Sequence, residues 1–181
     1  MAVYFTADTH FGHENIIKHC KRPFAGVEQM NKTLIKNWNN RVTNSDDVYI
    51  VGDFCFKDGL EFTVKTIKSL KGKKHLVVGN HDKKYLRDEI YRAEFASTAD
   101  IMDISLNGER IIMCHYPMVE WNGYYRGAWH IYGHIHNHKD NTVFEYLRKQ
   151  EKALNAGCDI TYFTPVTFDE LKMYNEIFKN S

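Results

Sequence analysis

Apolar positions along the chain change their period several times. Residues 3–7, Val3-Tyr4-Phe5-Thr6-Ala7, form a short apolar run that predicts a first strand, and a polar turn from Asp8 to Glu14 follows it. Val27, Met30, Leu34, Trp38 and Val42 then recur at three- and four-residue steps, the period of an amphipathic helix over 27–42. Residues 47–51 predict a second strand that stops at Gly52-Asp53. Leu60, Val64, Ile67 and Leu70 share one face of a helix over 59–71. Residues 75–78 predict a third strand, ending at Gly79-Asn80-His81-Asp82. Residues 101–106 and 110–114 flank Asn107-Gly108, a strong hairpin signal because both turn positions favour positive φ. Residues 129–132 predict a further strand ending at Gly133-His134, residues 153–156 a short one, and 168–178 a closing helix.

Helices alternate with strands early, and strands dominate later. That order predicts an α/β fold with a mixed sheet. There is no internal repeat, proline-rich linker or low-complexity tract, so 1–181 reads as a single domain. A net charge of +1 removes the basic excess expected of a nucleic-acid coat or a membrane-surface protein. No run of apolar residues is long enough for a transmembrane helix, and the first residues lack a basic start and apolar stretch. A cytoplasmic location is therefore expected, with Cys20, Cys55, Cys114 and Cys158 reduced. No two of them form a C-x-x-C pair, and most read as small buried hydrophobes. Cys55 and Cys114 stand beside candidate ligands and are less readily assigned that role.

Histidine changes the picture. Of ten histidines, His10, His81, His115, His134 and His136 lie in short polar motifs at predicted strand ends. The motifs are Asp8-Thr9-His10, Gly52-Asp53, Gly79-Asn80-His81-Asp82, Cys114-His115 and Gly133-His134-Ile135-His136. Ligands gather at the carboxyl ends of strands in open α/β sheets, so five distant segments are expected to meet. Their mixed oxygen and nitrogen donors suit Mn, Fe, Zn, Co or Ni better than Ca or Mg. His134 and His136, two residues apart, would face one side of an extended segment and could reach different metals of a pair. Glycine before several ligands lets the backbone turn and approach a bound anion. Each motif alone has a plain alternative. His10 could cap a turn, and Asn80 could be a left-handed turn residue.

These blocks, in this order, resemble the calcineurin-like metallophosphoesterase superfamily. Thr6-Ala7-Asp8-Thr9-His10-Phe11-Gly12-His13, Arg22-Pro23-Phe24, and Leu154-Asn155-Ala156-Gly157-Cys158-Asp159 with Pro165-Val166 look like its short, capless bacterial and phage branch. The resemblance implies a four-layer α/β/β/α sandwich of two mixed sheets flanked by helices. It implies two divalent transition-metal ions, with Mn the expected choice in vitro. Asp8, His10, Asp53 and His136 would hold one ion, and Asp53, Asn80, His115 and His134 the other, Asp53 bridging. His81 would serve the leaving-group oxygen, and Asp82 would orient His81 by a hydrogen bond. The implied activity is hydrolysis of a phosphate mono- or diester, in a small phosphorylated molecule or nucleotide, by a metal-bound hydroxide. A nuclease of the same superfamily and a non-catalytic metal-binding interaction module are the alternatives. No membrane partner and no stable nucleic-acid partner are expected, and the pattern leaves the oligomeric state open.

Four further residues are candidates for substrate binding. His13 lies three residues past His10. Arg22 could fork onto a phosphate, or could equally be a surface residue or half of a buried ion pair. Trp121 and Tyr124 belong to an aromatic, glycine-rich segment between two ligand blocks, which could stack on a ring or simply pack. Lys83 and Lys84 follow the Asn80-His81-Asp82 block and could steer an anion.

Overall fold

The computed structural model describes residues 1–56 and 59–181. Two sheets form the frame. The first has the order β4-β3-β2-β1-β9, from β1 (Val3–Thr6), β2 (Asp47–Val51), β3 (Lys73–Val77), β4 (Ser97–Ala99) and β9 (Val166–Thr167). Its first four strands run parallel, and β9 pairs antiparallel with β1. The second sheet has the order β5-β6-β7-β8, from β5 (Ile101–Leu106), β6 (Glu109–Cys114), β7 (Trp129–Tyr132) and β8 (Ala153–Asn155). The β5–β6 hairpin is antiparallel, and β6, β7 and β8 run parallel. Both sheets are mixed, as the family resemblance implied, where the order of elements alone predicted one mixed sheet.

Three apolar clusters fix the layers. Phe5, Val51 and Val77 of the first sheet meet Ile111, Met113, Ile131 and Leu154 of the second in one buried cluster between the sheets. The outer face of the first sheet, with Val48, Ile50 and Leu76, buries Met30, Leu34 and Trp38 of α2 (Val27–Arg41) and Ile67 of α3 (Leu60–Ser69). These are the residues whose three- and four-residue spacing predicted the two helices. Ile16 of a short helix, α1 (Glu14–His19), joins them. The outer face of the second sheet, with Ile112, Tyr132 and Ala153, packs on Phe144 and Leu147 of α5 (Thr142–Leu147) and on Trp121. The closing helix α6 (Phe168–Asn180) starts at a capping box, where the Thr167 and Glu170 side chains satisfy each other's backbone amides. It spans the edges of both sheets, with Leu171 between them and Phe178 on the outer face of the second.

Some elements had no periodic signal. Helix α1, α4 (Glu89–Arg92) and α5 have at most six residues, fewer than two turns, so no apolar stripe can repeat. Strands β4 and β9 have three and two residues and exist through pairing with β3 and β1. No described helix is long and apolar enough to cross a membrane. The four cysteines are free thiols, three of them buried.

Parallel pairing sets the position of the site. The register of β1, β2 and β3, Thr6 opposite Ile50 and Val51 opposite Val77, brings their carboxyl ends level. Met113 opposite Ile131, and Tyr132 opposite Asn155, does the same in the second sheet. A backbone bridge from Ala7 to Gly157 stitches the two rims together.

Candidate metal centre

All five motifs arrive at this shared rim. Asp53 lies at the centre. Its Oδ2 is 3.4 Å from His115 Nε2, 3.6 Å from His10 Nε2 and 3.9 Å from His81 Nε2. Its Oδ1 accepts a 2.9 Å hydrogen bond from the His81 amide. Asn80 Oδ1 is 3.1 Å from His115 Nε2. The His10 ring stacks on that of His136 at 5.1 Å, and the His115 ring lies 5.2 Å from that of His134. Donor atoms of Asp8, His10 and His136 lie within 4.8 Å of one another, and so do those of Asp8, Asp53 and His115.

The backbone is bent to achieve this. Asp8, His10, Asp53, His134 and His136 all have φ between 50° and 70°, the left-handed region. Only a few per cent of non-glycine residues adopt it, and each such residue costs on the order of 1 kcal/mol. The segment 134–136 is therefore not extended, as its i, i+2 spacing had suggested. Its two histidines diverge by left-handed turns. The His134 amide donates to both oxygens of Asp8, at 3.1 and 2.9 Å, which ties the β7 loop to the β1 loop. Gly79 has a different role. A Cβ there would stand 2.5 Å from the Asp53 amide nitrogen and overlap its carboxylate, so glycine is what lets the β3 loop close onto Asp53.

The electrostatics favour cations. Burial pushes the Asp8 carboxyl up, although the neighbouring histidines oppose this. Burial also opposes charge on Asp53, but a hydrogen bond with His115 and the charges of His115 and His10 outweigh it and hold that carboxyl low. Burial works against a protonated His115, yet Asp53 and Asp8 raise it to about 9. His136 rises to about 11 against burial, through Asp8 and Asp159. The carboxylates thus draw positive charge into a buried site. Metal ligands must be deprotonated, so metal affinity here falls in acid.

The donors fit a metal on a second count. Both ring nitrogens of His10 are buried and lack a hydrogen-bond partner among the described residues. A buried imidazole left wholly unpaired is costly, and a bound ion is one of the few features that offset it. Asp8, His10, Asp53, His115 and His136 are buried, while His134 and Asn80 lie on the open side.

Residues 1–164 match the family described as the calcineurin-like phosphoesterase superfamily domain. The chain belongs to this superfamily. Within the calcineurin-like phosphoesterases it is 37% identical to the uncharacterised protein MJ1445 of Methanocaldococcus jannaschii, over 92% of this chain and 87% of that one. It is 26% identical to the gene 66 protein of Mycobacterium phage L5, over 74% and 77% of the two chains. Among solved structures it is similar to AQ665 of Aquifex aeolicus, a protein of unknown function. The TM-score is 0.73 and the identity 26%, with 94% of this chain and 97% of that one covered.

Several sequence expectations change at this rim. Asp82 does not hydrogen-bond His81. Its buried carboxylate accepts from the amides of Asp53 (2.8 Å), Phe54 (3.0 Å) and Gly79 (2.8 Å). It holds the backbone that presents Asp53. Burial and the charge of Asp53 raise it to about 6, against those hydrogen bonds. The His81 ring packs edge-on to Phe56 at 4.5 Å, partly open to solvent.

Arg22 forms the buried ion pair that was one of its alternatives. It is buried and spent within the protein: Nε and Nη2 donate to Asp159 (2.7 and 3.0 Å), Nη2 to the Asp8 carbonyl (2.7 Å) and Nη1 to the Thr9 carbonyl (3.0 Å). Trp121 is also buried, and its indole donates to the Ala128 carbonyl at 2.8 Å, so it packs the second sheet rather than stacking on a substrate ring. Tyr124 packs edge-on to Trp121 and donates to Gln150. His13 does stand at the site. It stacks on Phe56 at 3.9 Å, 5.3 Å from the His10 ring, with burial and His81 lowering it to about 4. Lys84 places its ammonium over Phe56 and Tyr85.

Asp159 was missed as a functional residue. Its Oδ2 is 3.0 Å from His136 Nδ1, and Arg22 donates to both of its oxygens. A carboxylate behind a ligating histidine fixes the ring and its tautomer. The signal in the sequence was Asp159 itself, 23 positions from His136, with no local pattern to join them.

Proposed function

We propose that this chain is a dinuclear-metal-dependent phosphoesterase that hydrolyses a phosphate mono- or diester of a small molecule or nucleotide. The observation that carries the reading is Asp53, a single buried carboxylate with three histidine nitrogens within 3.9 Å of one oxygen. Asp8, His10, Asp53 and His136 would hold one ion, and Asp53, Asn80, His115 and His134 the other. Two divalent ions, when bound, activate water and neutralise charge on the phosphoryl oxygens. The remaining work belongs to the chain. Asp53 holds the two ligand sets together. Asp82 fixes the backbone that presents it, Gly79 lets the β3 loop close onto it, the His81 amide holds its Oδ1, and Asp159 aims His136. His81, partly open beside Asp53, donates the proton to the departing alkoxide.

The test is turnover of aryl phosphate mono- and diesters by Mn-loaded protein. Asp53→Asn should lose at least a thousandfold in kcat/KM and bind less than two metal equivalents. Undiminished turnover by that variant overturns the reading. The cytoplasm is the proposed location, since the thiols are free and no described helix crosses a membrane.

A further inference from the structure

A wide cavity opens on the surface beside His134. It encloses about 650 Å³, within the usual size of a small-molecule site. Three segments wall it: Tyr116 and Val119 after β6, His134 after β7, and Val143 and Tyr146 on α5. The Tyr116 ring lies 4.6 Å from the His134 ring, so the cavity and the metal centre share a wall.

Its chemistry is one-sided. Among the described residues, no Lys, Arg, Asp or Glu lines it. Tyr116, Val119, Val143 and Tyr146 all remain substantially exposed, an apolar patch facing solvent next to a charged site. Two of the polar groups on its wall are already engaged. The Tyr146 hydroxyl donates to the Val119 carbonyl at 2.9 Å, and Asn141 Oδ1 caps α5 through the Phe144 amide at 2.8 Å. A polyol placed here would face mostly apolar wall, with His138 Nε2 a buried nitrogen left without a partner among the described residues, and a second phosphate would meet no Lys or Arg of the described lining. A flat apolar ring meets two tyrosine rings and a valine.

Resting on the phosphoesterase reading above, we infer that this cavity binds an uncharged aromatic ring on the ester group of the substrate, of aryl or nucleobase type. The phosphoryl group sits at Asp53 and His134, and the ring enters between Tyr116 and Tyr146. The described wall has no Lys or Arg to follow a polynucleotide backbone, so the substrate is a small ester.

The test compares kcat/KM for phenyl phosphate and adenosine 5′-monophosphate with that for methyl phosphate and glycerol phosphate. Wild-type Mn-loaded protein, Tyr146→Ala, Val143→Trp (which fills the cavity) and Tyr146→Phe (which keeps the ring) are measured, with metal content checked for each. The ratio of ring to ringless substrates should fall about tenfold in Tyr146→Ala and Val143→Trp, as expected for loss of one stacking contact, and recover in Tyr146→Phe. Whether phenyl or adenosine shows the larger fall separates an aryl from a nucleobase site. A ratio unchanged by both variants overturns the inference while leaving the phosphoesterase reading intact. If no ester is turned over, that reading fails by itself. Calorimetry with phenylphosphonate against methylphosphonate then decides the cavity: preference for phenyl, lost in Tyr146→Ala, supports it, and equal affinity overturns it.

Discussion

Replacing Arg22 with methionine keeps an unbranched chain and removes the guanidinium. In the structure that guanidinium is bidentate to Asp159 and donates to the carbonyls of Asp8 and Thr9, all out of contact with water. Breaking a buried ion pair from one side costs about 3–5 kcal/mol, because the carboxylate left behind has lost its partner. Two carbonyls also lose a donor, each worth about 1 kcal/mol, and these losses overlap with the first. A net loss of about 4 kcal/mol is a large part of the 5–15 kcal/mol typical of a domain. For a chain of this length it lowers Tm by about 10 °C. Urea unfolding and thermal melts of metal-free protein measure it. Adding Asp159→Asn to Arg22→Met should restore at least 1 kcal/mol, since the stranded charge is gone. A loss below 1 kcal/mol, accompanied by a raised KM, would refute this reasoning and return Arg22 to the role of a phosphate ligand.

Three other outcomes follow from the same geometry. Asp159→Asn should weaken metal binding about 10- to 100-fold by freeing the His136 ring, read by calorimetric titration with Mn. Gly79→Ala should destabilise by several kcal/mol and reduce metal occupancy together, because its methyl group meets the Asp53 backbone at 2.5 Å; an alanine variant with full occupancy would disprove the contact. His130 is buried beneath Trp121, accepts from the Met118 amide at 3.1 Å, and is lowered from 6.5 to about 4, chiefly by burial. The unfolded chain then binds the extra proton between pH 6.5 and 4. Stability is therefore full above that window and falls with acid by up to about 3 kcal/mol through this group. Urea midpoints of metal-free protein from pH 7 to 4.5 should show this, and His130→Gln should flatten the slope.

The long helices and the strands of four or more residues were legible because each carries enough apolar positions to show a period. Met30, Leu34 and Trp38 mark α2, and the apolar run at 47–51 gives β2 with the observed bounds. Helix α5 was not legible, and it supplies one wall of the cavity beside His134. The ligand candidates were legible as residue types at strand ends. Their roles behind the first contact were not. Asp82 seemed paired with its neighbour His81 but serves the Asp53 backbone 29 positions away, and Arg22 reaches Asp159 across 137.

Local order thus determined which residues could ligate and which segments would form strands ending at them, since period and turn chemistry act over a few residues. The tertiary structure decided everything that depends on how two sheets pack. The level carboxyl ends of six parallel strands, the left-handed turns that aim Asp8, Asp53 and His136, and the burial of Arg22 with Asp159 all arise from contacts between distant segments. Such contacts leave no repeat or spacing in the chain. They exist only once apolar burial between the sheets has brought the loops to one rim.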